Sequence, residues 1–335
     1  MHMADALVSP AVGGAMWVCG SAALVYSVRK INKNFEEKNI PLMGVLGAFV
    51  FAAQMLNFTI PGTGSSGHIC GGLLLSALLG PTAGFVTLGM VLLIQALFFA
   101  DGGILAYGAN LVNMGLYTCL LVYPLLFKPL IKRWGSKVLI PASVLTCVLG
   151  LQLGAFSVVL ETMFSGVTAL PFTTFLALMQ PIHLLIGGVE GVATGVVLKF
   201  VWEARPTLLQ DVVLGQNRVS EKVSFGKIVA TFMVLALLLG GGLSLFASEH
   251  PDGLEWSIEK ITGSTEVESE GALQDLVGRI QEATALMPDY DFAKEAGSGL
   301  GTSVAGIGGG IFTCLAVGLL GKLLVTRNEH KAVKS

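Results

Sequence analysis

The sequence predicts an all-α polytopic membrane protein, and three observations carry that prediction. Hydrophobic residues make up 53% of the 335 positions and charged residues 13%, where soluble domains carry about 25% charged. Mean hydropathy is +0.75. The 43 glycines are roughly double the average share, as suits helix backbones that approach closely in lipid. The third observation is that Lys and Arg are concentrated in alternate loops.

In chain order, residues 8 to 28 form a first apolar span, closed by Arg29, Lys30, Lys33 and Lys38. A second runs from 40 to 58 and ends in a turn-rich loop, Thr59 to His68, with Pro61, Gly62, Gly64 and Gly67. Residues 69 to 80 make a short apolar segment broken by Gly80 and Pro81, which covers only about 18 Å at about 1.5 Å per residue. Spans at 82–99 and 109–127 flank a polar loop at 100–108. The basic loop 128–137 precedes spans at 138–160 and about 172–200. A polar segment leads to a span at 227–246, an acidic insert at 247–299 and a last span at 300–321 with a basic tail.

Positive charge sets the orientation. Loops 29–38, 128–137, 199–227 and 322–335 hold 4, 4, 5 and 4 Lys/Arg, which is 17 of the 20. The other three, Lys260, Arg279 and Lys294, fall in the insert, and loops 59–68 and 100–108 hold none. Nine spans follow, with the amino terminus outside and the carboxyl terminus in the cytoplasm. The net charge of −2 is no argument for nucleic acid, because the charges are segregated by membrane side. Five cysteines (Cys19, Cys70, Cys119, Cys147, Cys314) lie in apolar stretches without CxxC spacing, so neither a zinc site nor a disulfide framework is indicated. They read as small core residues.

The start, Met1-His2-Met3, carries the chemistry. A bulky second residue prevents removal of the initiator methionine, so the free amine belongs to Met1. The Met1 amine, the His2 amide and the His2 ring then lie within chelating reach. With the amide deprotonated they close two fused rings in one plane, the N-donor geometry preferred by Ni(II) or Cu(II). A frayed terminal histidine is the alternative. The missing fourth donor is offered by His68, on the same outer face after a flexible Gly/Ser run; a hydrogen-bonding cap is its ordinary role.

These residues resemble the CbiM/NikM family, the substrate-binding membrane components of cobalt and nickel energy-coupling factor transporters. The resemblance rests on Met1-His2 with Ser9-Pro10, on Asn57-Phe58, and on Gly64 to His68. It continues through Phe98 to Gly103, Gly108 to Asn110, Asn113-Met114, Pro181 to His183 and Glu190-Gly191. The resemblance implies metal ligation by Met1, His2 and His68. The family's Pro-Asp/Glu-Gly stretch after the start is replaced here by Met3, Ala4, Asp5 and Ala6, which puts metal preference in doubt. Residues 227–335 resemble the small partner component, with Pro251 to Glu255 matching its PDGLE motif and Asp289-Tyr290 and Ala305 to Gly308 agreeing. The expected organisation is a metal-binding domain of about seven helices at 1–202, a cytoplasmic linker at 203–226, and a two-helix PDGLE domain at 227–335 with its outer insert at 247–299. The implied cargo is Ni(II) or Co(II). The implied partners are a coupling transmembrane subunit of CbiQ/NikQ type and a cytoplasmic ATPase of CbiO/NikO type, in the cell membrane of a bacterium or archaeon.

Further candidates surround this reading. Asn57, Asp101 and Asn110 are placed to orient the site, since a ligating imidazole usually donates its other N–H to a neighbour. His183 and Glu190, seven residues apart and on one helical face, are intramembrane candidates or a helix–helix hydrogen bond. Their depth sets them far from an outer chelate unless the helix breaks at Pro181. The insert carries 12 acidic residues against three basic, a solvated surface or an attractor of cations. No GxxxxGK[ST] loop is present for ATP hydrolysis. HExxH and an intramembrane carboxylate cluster are absent too. The expectation is a capture protein and not an enzyme. Its rivals are a secondary transporter working alone, which takes up metal in vesicles without ATPases, and a metal-dependent membrane enzyme, which needs an open coordination position.

Overall fold

The computed structural model describes residues 1–34, 39–209, 221–265, 267, 271–292 and 300–332. A helix lies over each of the nine apolar stretches: α1 (Pro10–Asn34), α2 (Ile40–Met55), α3 (Gly72–Leu79) and α4 (Pro81–Phe98) come first. Next, α5 (Tyr107–Asn110) continues through the π-wound stretch Leu111–Phe127 into α6 (Lys128–Trp134). Then follow α7 (Leu139–Ser165), α8 (Phe172–Ala204), α9 (Phe225–Gly241) and, after two insert helices, α12 (Leu300–Ala332). Five stretches are long and apolar enough to cross a membrane, Pro10–Ile31, Pro81–Phe98, Tyr107–Ser165, Phe172–Ala204 and Leu300–Leu324. Helices α2 and α9 are apolar but shorter. Rows of exposed Leu and Val on α7, α8 and α12 suit a lipid surround, and the chain is a multi-pass membrane protein.

Several boundaries differ from the sequence expectation. Helix α1 runs on to Asn34, so Arg29 and Lys30 belong to its end and not to a loop. The short segment 69–80 forms only eight helical residues, because 68–71 stay irregular. Gly80, at φ +86°, supplies the reversal into α4, a conformation that costs a side-chain-bearing residue more. Within the linker, Lys222 and Val223 donate to the Ala204 carbonyl, while 210–220 and the basic residues Lys38, Arg218 and Lys334 lie outside the described residues. Cys70, Cys119 and Cys147 are buried, but Cys19 is exposed, against its reading as a core residue.

Small residues bring the helices together. On α8, Gly187 and Gly195 leave room for backbone of the opposing helix: a Cβ would lie 2.9 Å from Val148 Cα and 2.8 Å from Ile140 Cα. Gly191 faces Val144 between them. This glycine row at four-residue spacing is the close-packing device of membrane helices, and it turns the face of α8 that bears His183 and Glu190 inward. Gly240 of α9 meets Gly306 of α12 in the same way. Gly44 of α2 rests against the Cys314 carbonyl of α12, so the second part of the chain packs on the first.

Beside the amino terminus, β1 (Phe58–Ile60) pairs antiparallel with β2 (Ser65–Gly67), with Thr59 opposite Ser66. The insert carries α10 (Gly253–Thr262) and α11 (Ala272–Thr284). It is clamped to the first part of the chain: Trp256 Nε1 donates to the Thr63 carbonyl, Gln274 Nε2 to the Val8 carbonyl, and Gln281 Nε2 to the carbonyls of Ala96 and Gly102.

Candidate metal centre

The first seven residues fold into the protein. Met1 is 5% exposed and Met3 is fully buried. Asn110 grips the Met3 peptide at both ends, its Oδ1 accepting the Met3 N–H at 2.7 Å and its Nδ2 donating to the Met3 carbonyl at 3.1 Å. The same carbonyl accepts Gly103 N–H at 2.8 Å. Asp5 Oδ1 accepts Ala106 N–H at 2.9 Å. Gly102 and Gly103 have no room for a side chain, since a Cβ on Gly102 would come within 2.9 Å of Asn110 Nδ2 and one on Gly103 would overlap Asp5. The loop 100–106 is thus shaped to take the terminus.

His68 arrives from the opposite side, just after β2. Gly67 packs so tightly that a Cβ would meet Ile186 at 2.6 Å. Gly71, at φ +81°, turns the chain into α3. The Met1 amine lies 2.9 Å from His68 Nε2. Two nitrogens each about 2.0–2.1 Å from a metal, at right angles, stand about 2.9 Å apart, so this separation matches one edge of a square-planar set. The His2 and His68 rings stack at 5.0 Å with 19° between planes. His2 Nδ1, the ring nitrogen able to close a chelate with its own amide, lies 3.1 Å from Asp101 Oδ1.

The insert contributes two more groups. Asp252 caps α10, its Oδ1 accepting Leu254 N–H at 2.8 Å and Glu255 N–H at 3.0 Å, while Glu255 Oε2 accepts Asp252 N–H at 3.1 Å. This reciprocal arrangement is a capping box. It leaves Oδ2 to pair with the Met1 ammonium at 2.5 Å. Tyr290 donates its hydroxyl to Asp101 Oδ2 at 2.5 Å. The insert is seated by Ser66, whose N–H and Oγ donate to the carbonyls of Pro251 and His250 at 2.8 and 2.7 Å.

Burial and charge compete at this cluster. Burial opposes the Met1 ammonium, yet the carboxylate of Asp252 outweighs it and holds the amine pKa above its ordinary value. Burial would raise Asp252, but the ammonium and His68 pull it below the usual carboxylate range. His68 is pushed well down by burial, then by the ammonium and His2. His2 is lowered chiefly by burial, with Asp101 opposing. Met1 and Asp252 are therefore an ion pair at neutral pH and His68 is a neutral acceptor. Protons now sit between nitrogens that a cation could bridge instead.

The other sequence candidates divide. Asp101 and Asn110 touch the terminus directly. The hydrogen bond described for Asn57 is that of its carbonyl, accepting Ser248 N–H at 2.8 Å. His183, expected far below the surface, lines a small cavity of about 10 Å³ together with Met1, His68, Cys70 and Asp252. Helix α8 is not broken at Pro181, yet Met1 and the loop residues Gly67, His68 and Cys70 share this cavity with His183. Glu190 lies deeper, its Oε1 accepting Gly71 N–H at 2.9 Å. Asp252 and Tyr290 are the site neighbours that sequence reasoning missed. The Asp-x-x-Glu cap is legible at Asp252, but no local pattern aims its second oxygen at Met1. Among the described residues no three His, Cys, Asp or Glu side chains cluster as a metal site.

Residues 2–208 match the family described as the cobalt uptake substrate-specific transmembrane region, CbiM, and residues 226–326 match the PDGLE domain. A protein of Archaeoglobus fulgidus named as a fused nickel transport protein, NikMN, is 32% identical over 74% of this chain and 78% of its own. Its counterpart in Lactiplantibacillus plantarum, named LarMN, is 30% identical over 78% of this chain and 79% of its own. The cobalt transport protein CbiM of Geobacter sulfurreducens is 29% identical over 78% of this chain and 77% of its own. The crystal structure of a truncated transition metal transporter superposes with a TM-score of 0.54 at 31% identity, covering 61% of this chain and 99% of that one.

Proposed function

The chain belongs to the CbiM family as a cobalt/nickel transport component of the CbiM/NikM type, fused to a PDGLE domain, and on that premise we propose that it captures Ni(II) or Co(II) at the outer face of an energy-coupling factor transporter. The metal is held by four nitrogens: the Met1 amine, the His2 amide, His2 Nδ1 and His68 Nε2. Binding expels the amine and amide protons, so it strengthens as pH rises. Asp252 and Asp101 yield the amine and His2 Nδ1 as the ion enters, and Asn110 holds Met3 so that the short terminus cannot swing away.

The observation that carries this reading is the 2.9 Å approach of the Met1 amine to His68 Nε2 within a buried terminus. The charge asymmetry of the loops supports an outer amino terminus and a cytoplasmic carboxyl terminus, with nine spans between. Transport requires a coupling membrane subunit and cytoplasmic ATPases as partners. The test is metal analysis of the purified chain with and without one extra residue before Met1. The extra residue displaces the amine from the chelate, and stoichiometric nickel is expected to be lost. Retained nickel rules the proposal out.

A further inference from the structure

Resting on the four-nitrogen site above, we propose that His183 Nε2 is the first inward station for the metal, the donor that takes the ion off the amino-terminal claw. His183 is 1% exposed. Its Nδ1 stands 2.8 Å from the Met179 carbonyl, which can only accept, so Nδ1 carries the hydrogen and the lone pair of the neutral ring is on Nε2. That Nε2 is buried with no hydrogen-bond partner among the described residues. Buried polar atoms are nearly always paired, and an orphan calls for a purpose. An imidazole whose other N–H is tied to a carbonyl is also the arrangement in which histidine serves as a metal ligand.

Position makes the lone pair useful. His183 lines the same 10 Å³ cavity as Met1, His68 and Asp252, which is room for about one water-sized sphere. Gly253 keeps the ring accessible, because a Cβ there would stand 3.1 Å from His183 Cε1. Square-planar ions exchange ligands associatively: a fifth donor bonds before an original one leaves. The bond to His183 Nε2 forms first, and the bonds to the Met1 amine and then to the His2 amide break. The released amine and amide take protons back from solvent water. Seven residues farther along α8, about 10 Å at 1.5 Å per residue, Glu190 Oε2 is buried without a hydrogen-bond partner among the described residues and is the next donor inward.

The test follows exchange of radioactive nickel against unlabelled nickel in the detergent-purified full chain. His183→Gln is expected to load nickel as fully as the unaltered chain and to exchange it at least tenfold more slowly. In His183→Ala, added imidazole is expected to restore the faster exchange, a rescue that a purely structural role would not give. Equal exchange rates, loss of equilibrium loading in His183→Gln, or failure of imidazole to restore the rate each overturn the assignment. The chain extended before Met1 serves as the control. If that form still loads nickel, the claw itself is refuted, whatever His183 does.

Discussion

Asn110 holds the Met3 peptide by both ends of one side-chain amide, at 2.7 and 3.1 Å. Leucine in its place leaves the Met3 N–H buried without that acceptor, a loss of about 1–3 kcal/mol, and frees the claw to swing. Asn110→Leu is expected to weaken nickel binding about 10–100-fold, as groups supporting a metal ligand commonly do. Calorimetric titration checks the affinity and circular dichroism checks that the helices persist.

Asp252 sets the pH at which the terminus opens. The amine pKa is raised in the folded protein, so the stability it lends is present below its unfolded value and lost as pH rises through the folded one. The depressed Asp252 contributes above its unfolded value and loses that contribution as pH falls through the folded one. The pair therefore closes the terminus across the neutral range. Asp252→Asn lowers the amine pKa, and the pH of half-maximal nickel loading is expected to fall. Acylation of the Met1 amine near neutral pH is expected to speed up in the same variant. A half-loading pH that rises instead would mean that the carboxylate chiefly attracts the metal.

The donor set makes a spectroscopic prediction. Nickel in a plane of four nitrogens has no unpaired electrons. The loaded chain is expected to be diamagnetic, and His68→Ala to lose stoichiometric nickel. Paramagnetically shifted proton resonances in the loaded wild-type chain would require additional ligands at rest.

The seam between α9 and α12 tests how the two parts are joined. Gly306 approaches Gly240 so closely that a side chain has no space. Gly306→Val forces the helices apart, at a cost of about 1–3 kcal/mol. Lower thermal stability in detergent is expected, together with faster acylation of Met1 as Asp252 is drawn away.

Much of the helical framework was legible in the sequence, since apolar runs in a membrane protein have little choice but to be helices. Met1 and His2 stand together by covalent spacing alone, whereas His68 was a candidate only through its loop position and the family resemblance. The structure brings its Nε2 to 2.9 Å from the Met1 amine, and the glycines after Pro61 announce a chain that folds back. The position of His183 was misjudged for a specific reason. Counting along α8 places His183 on that helix, but where the terminus meets it depends on the 61–71 loop and Asn110, and that is set by tertiary packing. Asp252 was visible as part of a motif and as a helix cap, yet the target of its free oxygen lies at the other end of the chain. Asn57 shows the converse, a promising polar side chain whose described bond is made by its backbone.

Met1 and Asp252 are separated by 251 positions, so their pairing waits on synthesis of the PDGLE segment. Until the PDGLE segment has been made, the Met1 ammonium lacks the carboxylate of Asp252, however complete α1 to α8 are by then. A half-made chain thus carries a terminus held by Asn110 and Asp101 but not yet by Asp252.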